Sequence, residues 1–137
     1  MYAVENILAC IVIYEQPLIN CTTLRSLADA LLEKQCLEVV LYDNSKIATT
    51  DLPAVKTSMP GLKFHYMHDP TNPGVSRAYN EAAKIAIGSG KQWLIFFDQD
   101  TVVNKFFFRE ILDKINEHPE INLFCPAAFL FCSRTRS

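Results

Sequence analysis

The chain has 137 residues, half of them hydrophobic and a fifth charged. That suffices for one domain with a packed core and is too apolar for a disordered segment. A net charge of −2 gives no field to attract nucleic acid or an anionic membrane surface, so neither is expected as a partner on charge grounds.

The opening MYAVEN has no basic stretch and carries Glu5, unlike a signal peptide. Residues 7–14 form the longest apolar run, well short of the roughly 18–20 residues that cross a bilayer. Rich in β-branched residues, the run reads as a strand buried on both faces. Pro17 closes it. Leu24, Leu27, Ala28, Leu31 and Leu32 recur at helical spacing, which predicts a helix over 21–35. Residues 37–42 read as a second buried strand ending at Asp43-Asn44-Ser45. A loop with weak structure follows, punctuated by Pro53 and Pro60-Gly61. A third strand is expected over 62–67. After the polar HDPTNPG, residues Val75, Ala78, Tyr79, Ala82, Ala83, Ala86 and Ile87 mark a helix face that Gly88 and Gly90 end.

Trp93–Phe97 is the fourth strand. It runs into Asp98-Gln99-Asp100, after which Asn104 is placed to cap a helix with Phe108, Ile111, Leu112 and Ile115 on its apolar face. A fifth strand is expected over 121–125. The five cysteines, Cys10, Cys21, Cys36, Cys125 and Cys132, form no C-x-x-C pair and read as reduced, buried thiols of a cytoplasmic protein.

Strands alternating with helices argue for an α/β fold with a mostly parallel sheet. Ligands of such sheets bind at the carboxyl ends of the strands. Four polar clusters fall there: Tyr14-Glu15, Asp43-Asn44-Ser45, residues 69–74, and Asp98-Gln99-Asp100.

Each cluster has a bland and a functional reading. Residues two apart in a strand point to one face, roughly 6.5 Å apart along the chain. Two carboxylates brought to about 4 Å repel by about 4 kcal/mol at an effective dielectric near 20. A divalent cation reverses that sign, so Asp98 and Asp100 are either a metal pair or a strand terminus. Pro73-Gly74 precedes a helix whose free N–H groups favour an anion. Arg77, in the first turn, opposes the helix dipole unless it meets a phosphate or an acid. Asp43 and Asn44 offer polar edges to a base or ribose, or close an Asx turn. Tyr14 is a stacking ring or a core residue. No G-x-G-x-x-G and no P-loop occurs.

In this order, IVIYEQP, VVLYDNS, NPGVSRAYN and LIFFDQD, the clusters resemble the GT-A glycosyltransferases of family 2, over residue 7 to about 126. The D-Q-D-T version looks most like the rhamnosyltransferase-type branch of bacterial polysaccharide synthesis. The resemblance implies a Rossmann-like three-layer α/β/α fold and inverting transfer of a sugar, with rhamnose the expected one, from a dTDP- or UDP-sugar to a glycan or lipid-linked acceptor. It implies that Tyr14, Glu15, Asp43, Asn44, Asn72, Gly74, Arg77, Asp98 and Gln99 line the nucleotide-sugar site. Asp100, with Asp98, would hold Mn²⁺ or Mg²⁺. It also implies a cytoplasmic protein, peripheral at the inner face of the bacterial membrane.

The sequence departs from the family pattern at Glu15, where Asn is common, and at Tyr79, where Arg is common. The family's base lies well downstream of D-x-D. Among residues 101–137 the acids are Glu110, Asp113, Glu117 and Glu120, which read as a solvated helix face. A truncated nucleotide-binding half is therefore expected, with residues 123–132 as a dimerisation segment. Two rivals remain at this point: a non-catalytic nucleotide-binding remnant, and a haloacid dehalogenase-like phosphatase using Asp98 as nucleophile and Asp100 as acid/base.

Overall fold

The computed structural model describes residues 1–122. Four strands, β1 (Ile7–Ile13), β2 (Leu37–Asp43), β3 (Leu62–His68) and β4 (Trp93–Phe97), form one sheet in the order β3-β2-β1-β4. Every pairing is parallel. The helices are α1 (Thr22–Ala30), α2 (Leu52–Ser58), α3 (Val75–Gly88) and α4 (Phe107–Glu117).

The α/β class and the parallel sheet agree with the sequence reading. The helix α2 does not: residues 44–61 were expected to be loop. Parallel neighbours cannot be joined by a hairpin, so β2 and β3 require a crossover. Pro53 lies in the first turn of α2, where its missing N–H costs nothing; it starts a helix rather than breaking a chain. The helix expected over 21–35 ends at Ala30. Leu31 turns extended and packs on the main core, Leu32 is exposed, and Lys34 takes φ 71°. The chain must reverse there to enter β2. On α3, Ala78, Ala82 and Ala86 are buried, but Val75 and Ile87 face solvent, Ile87 at 81% exposure. Ile121 and Asn122 carry no strand. The rest of the expected fifth strand, and the 123–132 segment, lie outside the described residues.

Side-chain alternation divides the core. Ile7, Ala9, Ile11 and Ile13 of β1 pack with α1, α2 and α4 through Leu24, Leu27, Val55 and Phe108. Leu8 and Cys10 pack on the other face with Val40 and the alanines of α3. The chain lays down β1, β2 and β3 in one direction, then returns to place β4 against the other side of β1. Right-handed crossovers put helices on opposite faces when the direction reverses. The gap between the carboxyl ends of β1 and β4 is therefore the topological switch point, where open α/β sheets bind ligands.

Candidate functional site

The parallel sheet brings all four predicted clusters to one edge. In strand order they run Asp69, then Asp43-Asn44-Ser45, then Tyr14-Glu15, then Asp98-Gln99-Asp100. Three strand spacings of about 4.8 Å make this edge roughly 14 Å long.

Asp43 is fully buried. Its carboxylate accepts from Ser45 N–H at 3.0 Å, Thr49 N–H at 3.2 Å and the Tyr66 hydroxyl at 2.5 Å. Burial alone would push this carboxyl up, but the hydrogen bonds from Ser45, Tyr66 and Thr49 outweigh it and hold the group below its ordinary value. The bond from Ser45 is the Asx turn that the sequence left as one option. Asp43 thus organises the β2 exit from within. Asn44 donates its N–H to the Ile13 carbonyl at 2.8 Å. Its side chain is 3% exposed, and its Oδ1 has no partner among the described residues.

Tyr14 and Glu15 leave β1 in an irregular turn. Glu15 takes φ 50°, the left-handed region that Asn tolerates and Glu resists. Its backbone is held by the Ser45 hydroxyl at 2.7 Å, and its carboxylate accepts from Lys46 N–H at 3.0 Å. Across the switch point, Gln99 uses both ends of its amide on the backbone of one residue. Its Oε1 accepts from Tyr14 N–H at 2.9 Å and its Nε2 donates to the Tyr14 carbonyl at 3.3 Å. The β1 and β4 exits are thereby tied together, and the Tyr14 ring remains half exposed.

At the β3 exit, Asp69 accepts from the Tyr42 hydroxyl at 2.7 Å and from both the hydroxyl and N–H of Thr71, at 2.5 and 3.1 Å. The Arg77 guanidinium lies 3.5 Å from it. The Thr71 hydroxyl first, then Tyr42, hold this carboxyl down to about 2. Arg77 therefore meets an acid, one of the two partners the sequence allowed. The loop continues through Asn72, at φ 48°, to Gly74, at φ 92° and ψ 175°. That conformation belongs to glycine, and it presents the start of α3 to the edge. A cavity of about 730 Å³ opens beside this loop, lined by Tyr42, Asp69, Pro73, Arg77, Asn80 and Lys84 among others.

Asp98 and Asp100 differ from these acids. Both are exposed, and neither carboxylate has a hydrogen-bond or ion-pair partner among the described residues. Their backbone is nonetheless fixed. Thr23 of α1 donates its hydroxyl to the Asp98 carbonyl and accepts from Thr101 N–H at 2.8 Å. Cys21 Sγ meets the Gln99 carbonyl at 3.3 Å, and Ser26 Oγ accepts from Val103 N–H at 3.1 Å. Two unengaged carboxylates two residues apart are a hard-oxygen donor pair suited to Mg²⁺ or Mn²⁺. Among the described residues no third His, Cys, Asp or Glu joins them, so phosphate oxygens and water would complete such a site.

The sequence missed Thr23, Tyr66 and Asp69 as site-shaping residues. Asp69 was visible only as part of a strand-end cluster. Tyr66 carries no local signal, because its partner Asp43 lies on the neighbouring strand. Nothing in the sequence links Thr23 to a loop 75 residues away.

No helix among the described residues is long and apolar enough to cross a membrane. Residues 9–134 match the family model described as glycosyl transferase family 2. Among solved structures, S. aureus TarS 1-349 is similar at TM-score 0.59 and 26% identity, over 81% of this chain and 32% of that one. The same protein in complex with UDP-GlcNAc gives 0.60 and 26%, over 82% and 31%. A longer S. aureus TarS chain gives 0.62 and 25%, over 82% and 20%. The chain thus spans a third or less of these proteins. No curated protein matches it.

Proposed function

This chain belongs to glycosyl transferase family 2, and from that premise we propose that it binds a nucleoside diphosphate sugar along the carboxyl edge of its sheet and serves transfer of that sugar to a glycan or lipid-linked acceptor. The observation that carries the reading is a contrast among the edge acids. Asp43, Asp69 and Glu15 are satisfied by the chain itself, whereas the carboxylates of Asp98 and Asp100, at the topological switch point, have no partner among the described residues.

The roughly 14 Å edge suits an extended ligand, with the base toward the β2 and β3 exits and the diphosphate toward β4. Tyr14 offers its half-exposed ring. Asn44 contributes a buried amide at the same edge. Gly74 and the first N–H groups of α3 offer donors to an anion, and Arg77, turned partly to Asp69, adds positive charge. Gln99 and Asp43 act as positioning residues, since their polar groups are engaged internally. Asp98 and Asp100 would hold Mn²⁺ or Mg²⁺, which when bound would offset charge on the departing diphosphate. The binding of UDP-GlcNAc by TarS favours a UDP-sugar; a dTDP-sugar, with rhamnose as the sugar, is the reading that D-Q-D-T suggests. The acids of α4 are assigned no catalytic role. Glu110, Asp113 and Glu117 are exposed, and the far end of α4 reaches the amino edge, where Asn116 bonds Tyr2 at 2.8 Å.

Calorimetric titration with UDP, dTDP and GDP, each with and without Mn²⁺, tests the proposal. The expected result is diphosphate binding that Mn²⁺ strengthens at least tenfold and that Asp100→Asn removes. Failure of every nucleotide to bind, with and without Mn²⁺, would sink it.

A further inference from the structure

On the α3 face of the sheet, Phe96 of β4 stacks against Tyr79 of α3. The ring centroids lie 3.9 Å apart at an interplanar angle of 32°. Phe96 remains 39% exposed, an unusual state for a strand phenylalanine beside polar groups. By strand alternation, Asp98 follows on the same face, about 6.5 Å along the chain. The Tyr79 hydroxyl has no hydrogen-bond partner among the described residues. Just past the end of the adjoining strand β1, Tyr14 has its own ring half open.

An apolar shelf here has no use for a diphosphate, which calls for cations and N–H donors. It matches a pyranose. The axial C–H groups of a sugar ring present a weakly positive, apolar face that packs on the negative face of an aromatic ring. The hydroxyls around its rim both donate and accept hydrogen bonds. Two aromatic rings beside a phenol O–H that can do both supply the apolar face and a polar partner.

We propose that Tyr79 and Phe96 form the subsite for the pyranose ring of the donor, with the Tyr79 hydroxyl hydrogen-bonding a ring hydroxyl beside Asp98. This rests on the donor-binding reading above and assigns the sugar end of the ligand to this shelf. The base and ribose would then lie toward β2 and β3.

Saturation-transfer NMR and calorimetry on the full 137-residue chain with Mg²⁺ test it, using UDP-GlcNAc, UDP-glucose and dTDP-glucose against UDP and dTDP. In the wild type, the pyranose C–H protons are expected to receive at least as much saturation as ribose H1′. Tyr79→Ala and Phe96→Leu should weaken binding of the sugar nucleotide about tenfold and leave the free nucleotide within twofold. The pyranose-to-ribose saturation ratio should fall by at least half. Tyr79→Phe keeps the ring and should cost only about two- to threefold. Because the free nucleotide and the ribose signal serve as internal controls, a misfolded variant is recognised by loss of both. Equal losses for sugar nucleotide and free nucleotide in a folded variant overturn the shelf. So does an unchanged pyranose signal. If the wild type binds neither kind of nucleotide, the donor-binding reading fails and the shelf with it; if it binds both and the variants change nothing, only the shelf fails.

Discussion

Replacing Thr23 by valine should loosen the Asp98–Asp100 loop and destabilise the whole domain. Thr23 is fully buried in the first turn of α1. Its hydroxyl donates to the Asp98 carbonyl and accepts from Thr101 N–H. Valine preserves the shape and removes both bonds, leaving a carbonyl and an N–H unsatisfied. A typical hydrogen bond contributes about 1 kcal/mol net, and a buried group left unpaired costs about 1–3 kcal/mol. The Cys21 and Ser26 contacts continue to hold the loop, so the expected loss is about 2–4 kcal/mol. For a chain of this size that is a fall in Tm of about 8–16 °C. Thr23→Ser keeps the hydroxyl and loses one methyl group, at a cost of about 1 kcal/mol. Urea unfolding followed by the fluorescence of Trp93, the only tryptophan, measures both variants, with an unchanged m-value as the check on two-state behaviour. A Thr23→Val protein within about 0.5 kcal/mol of wild type would refute the reasoning. So would a serine variant as unstable as the valine one, because packing of the methyl, not the hydroxyl, would then be the cause.

Asp69 has its carboxyl held down to about 2 by Thr71 and Tyr42, so it stabilises the fold above the unfolded value near 4, and that contribution is lost as pH falls toward 2. Tm measured between pH 5 and pH 2 should decline less steeply in Asp69→Asn than in wild type. Tyr42 and Tyr66 are pushed up to about 12, by burial first and then by their bonds to Asp69 and Asp43. A raised value means stabilisation present below about pH 10 and lost as pH climbs through 12. Absorbance at 295 nm should therefore show Tyr42 and Tyr66 among the tyrosines that ionise late, and one fewer late tyrosine in each of Tyr42→Phe and Tyr66→Phe. Asp100→Asn should leave Tm unchanged or raise it slightly, whereas Asp43→Asn should lower it clearly. Thermal melts at pH 7 check both, and a large fall for Asp100→Asn would show that the chain itself uses that carboxylate.

Much of the fold was legible because it rests on local patterns. The apolar run at 37–42 and the strand at 93–97 had little alternative in a domain this small, and the helical spacing over 75–88 located α3. The errors have a common origin in tertiary demands. Leu31 and Leu32 continue a helical pattern, yet the chain must turn there to enter β2. Pro53 looks like punctuation, yet parallel pairing of β2 with β3 requires a helix. Val75 and Ile87 fit an apolar stripe, yet the closest approach of α3 to the sheet is through alanines. The site was legible as a set of strand ends, because a parallel sheet collects its carboxyl termini whatever their spacing in sequence. The internal ties were not. Gln99 reads as a ligand-binding amide between two acids, but across the switch point it meets the Tyr14 peptide 85 residues away. Asp43 reads as a base-binding acid, but Tyr66 on the next strand claims it.

Those ties hold the edge in place without using its two exposed acids. Two residues at the β1 and β3 exits, Glu15 and Asn72, sit in left-handed backbone, a strain of order 1 kcal/mol each that persists only where the surroundings impose it. The surroundings are the Ser45 hydroxyl, the Lys46 N–H and the Asp69 network. Every such tie fixes backbone without consuming Asp98 or Asp100. A chain selected for stability alone would pair or replace those two carboxylates, since like charges side by side only repel. Their exposure at the end of a strand whose backbone is pinned by Thr23, Cys21 and Gln99 concentrates negative charge on the most firmly held part of the edge. On the proposed reading, a cation would meet donors already in place, with little ordering cost at the moment of binding. The acids thus divide by residue: those the chain satisfies build the edge, and Asp98 and Asp100 are the two the proposed function assigns to a ligand.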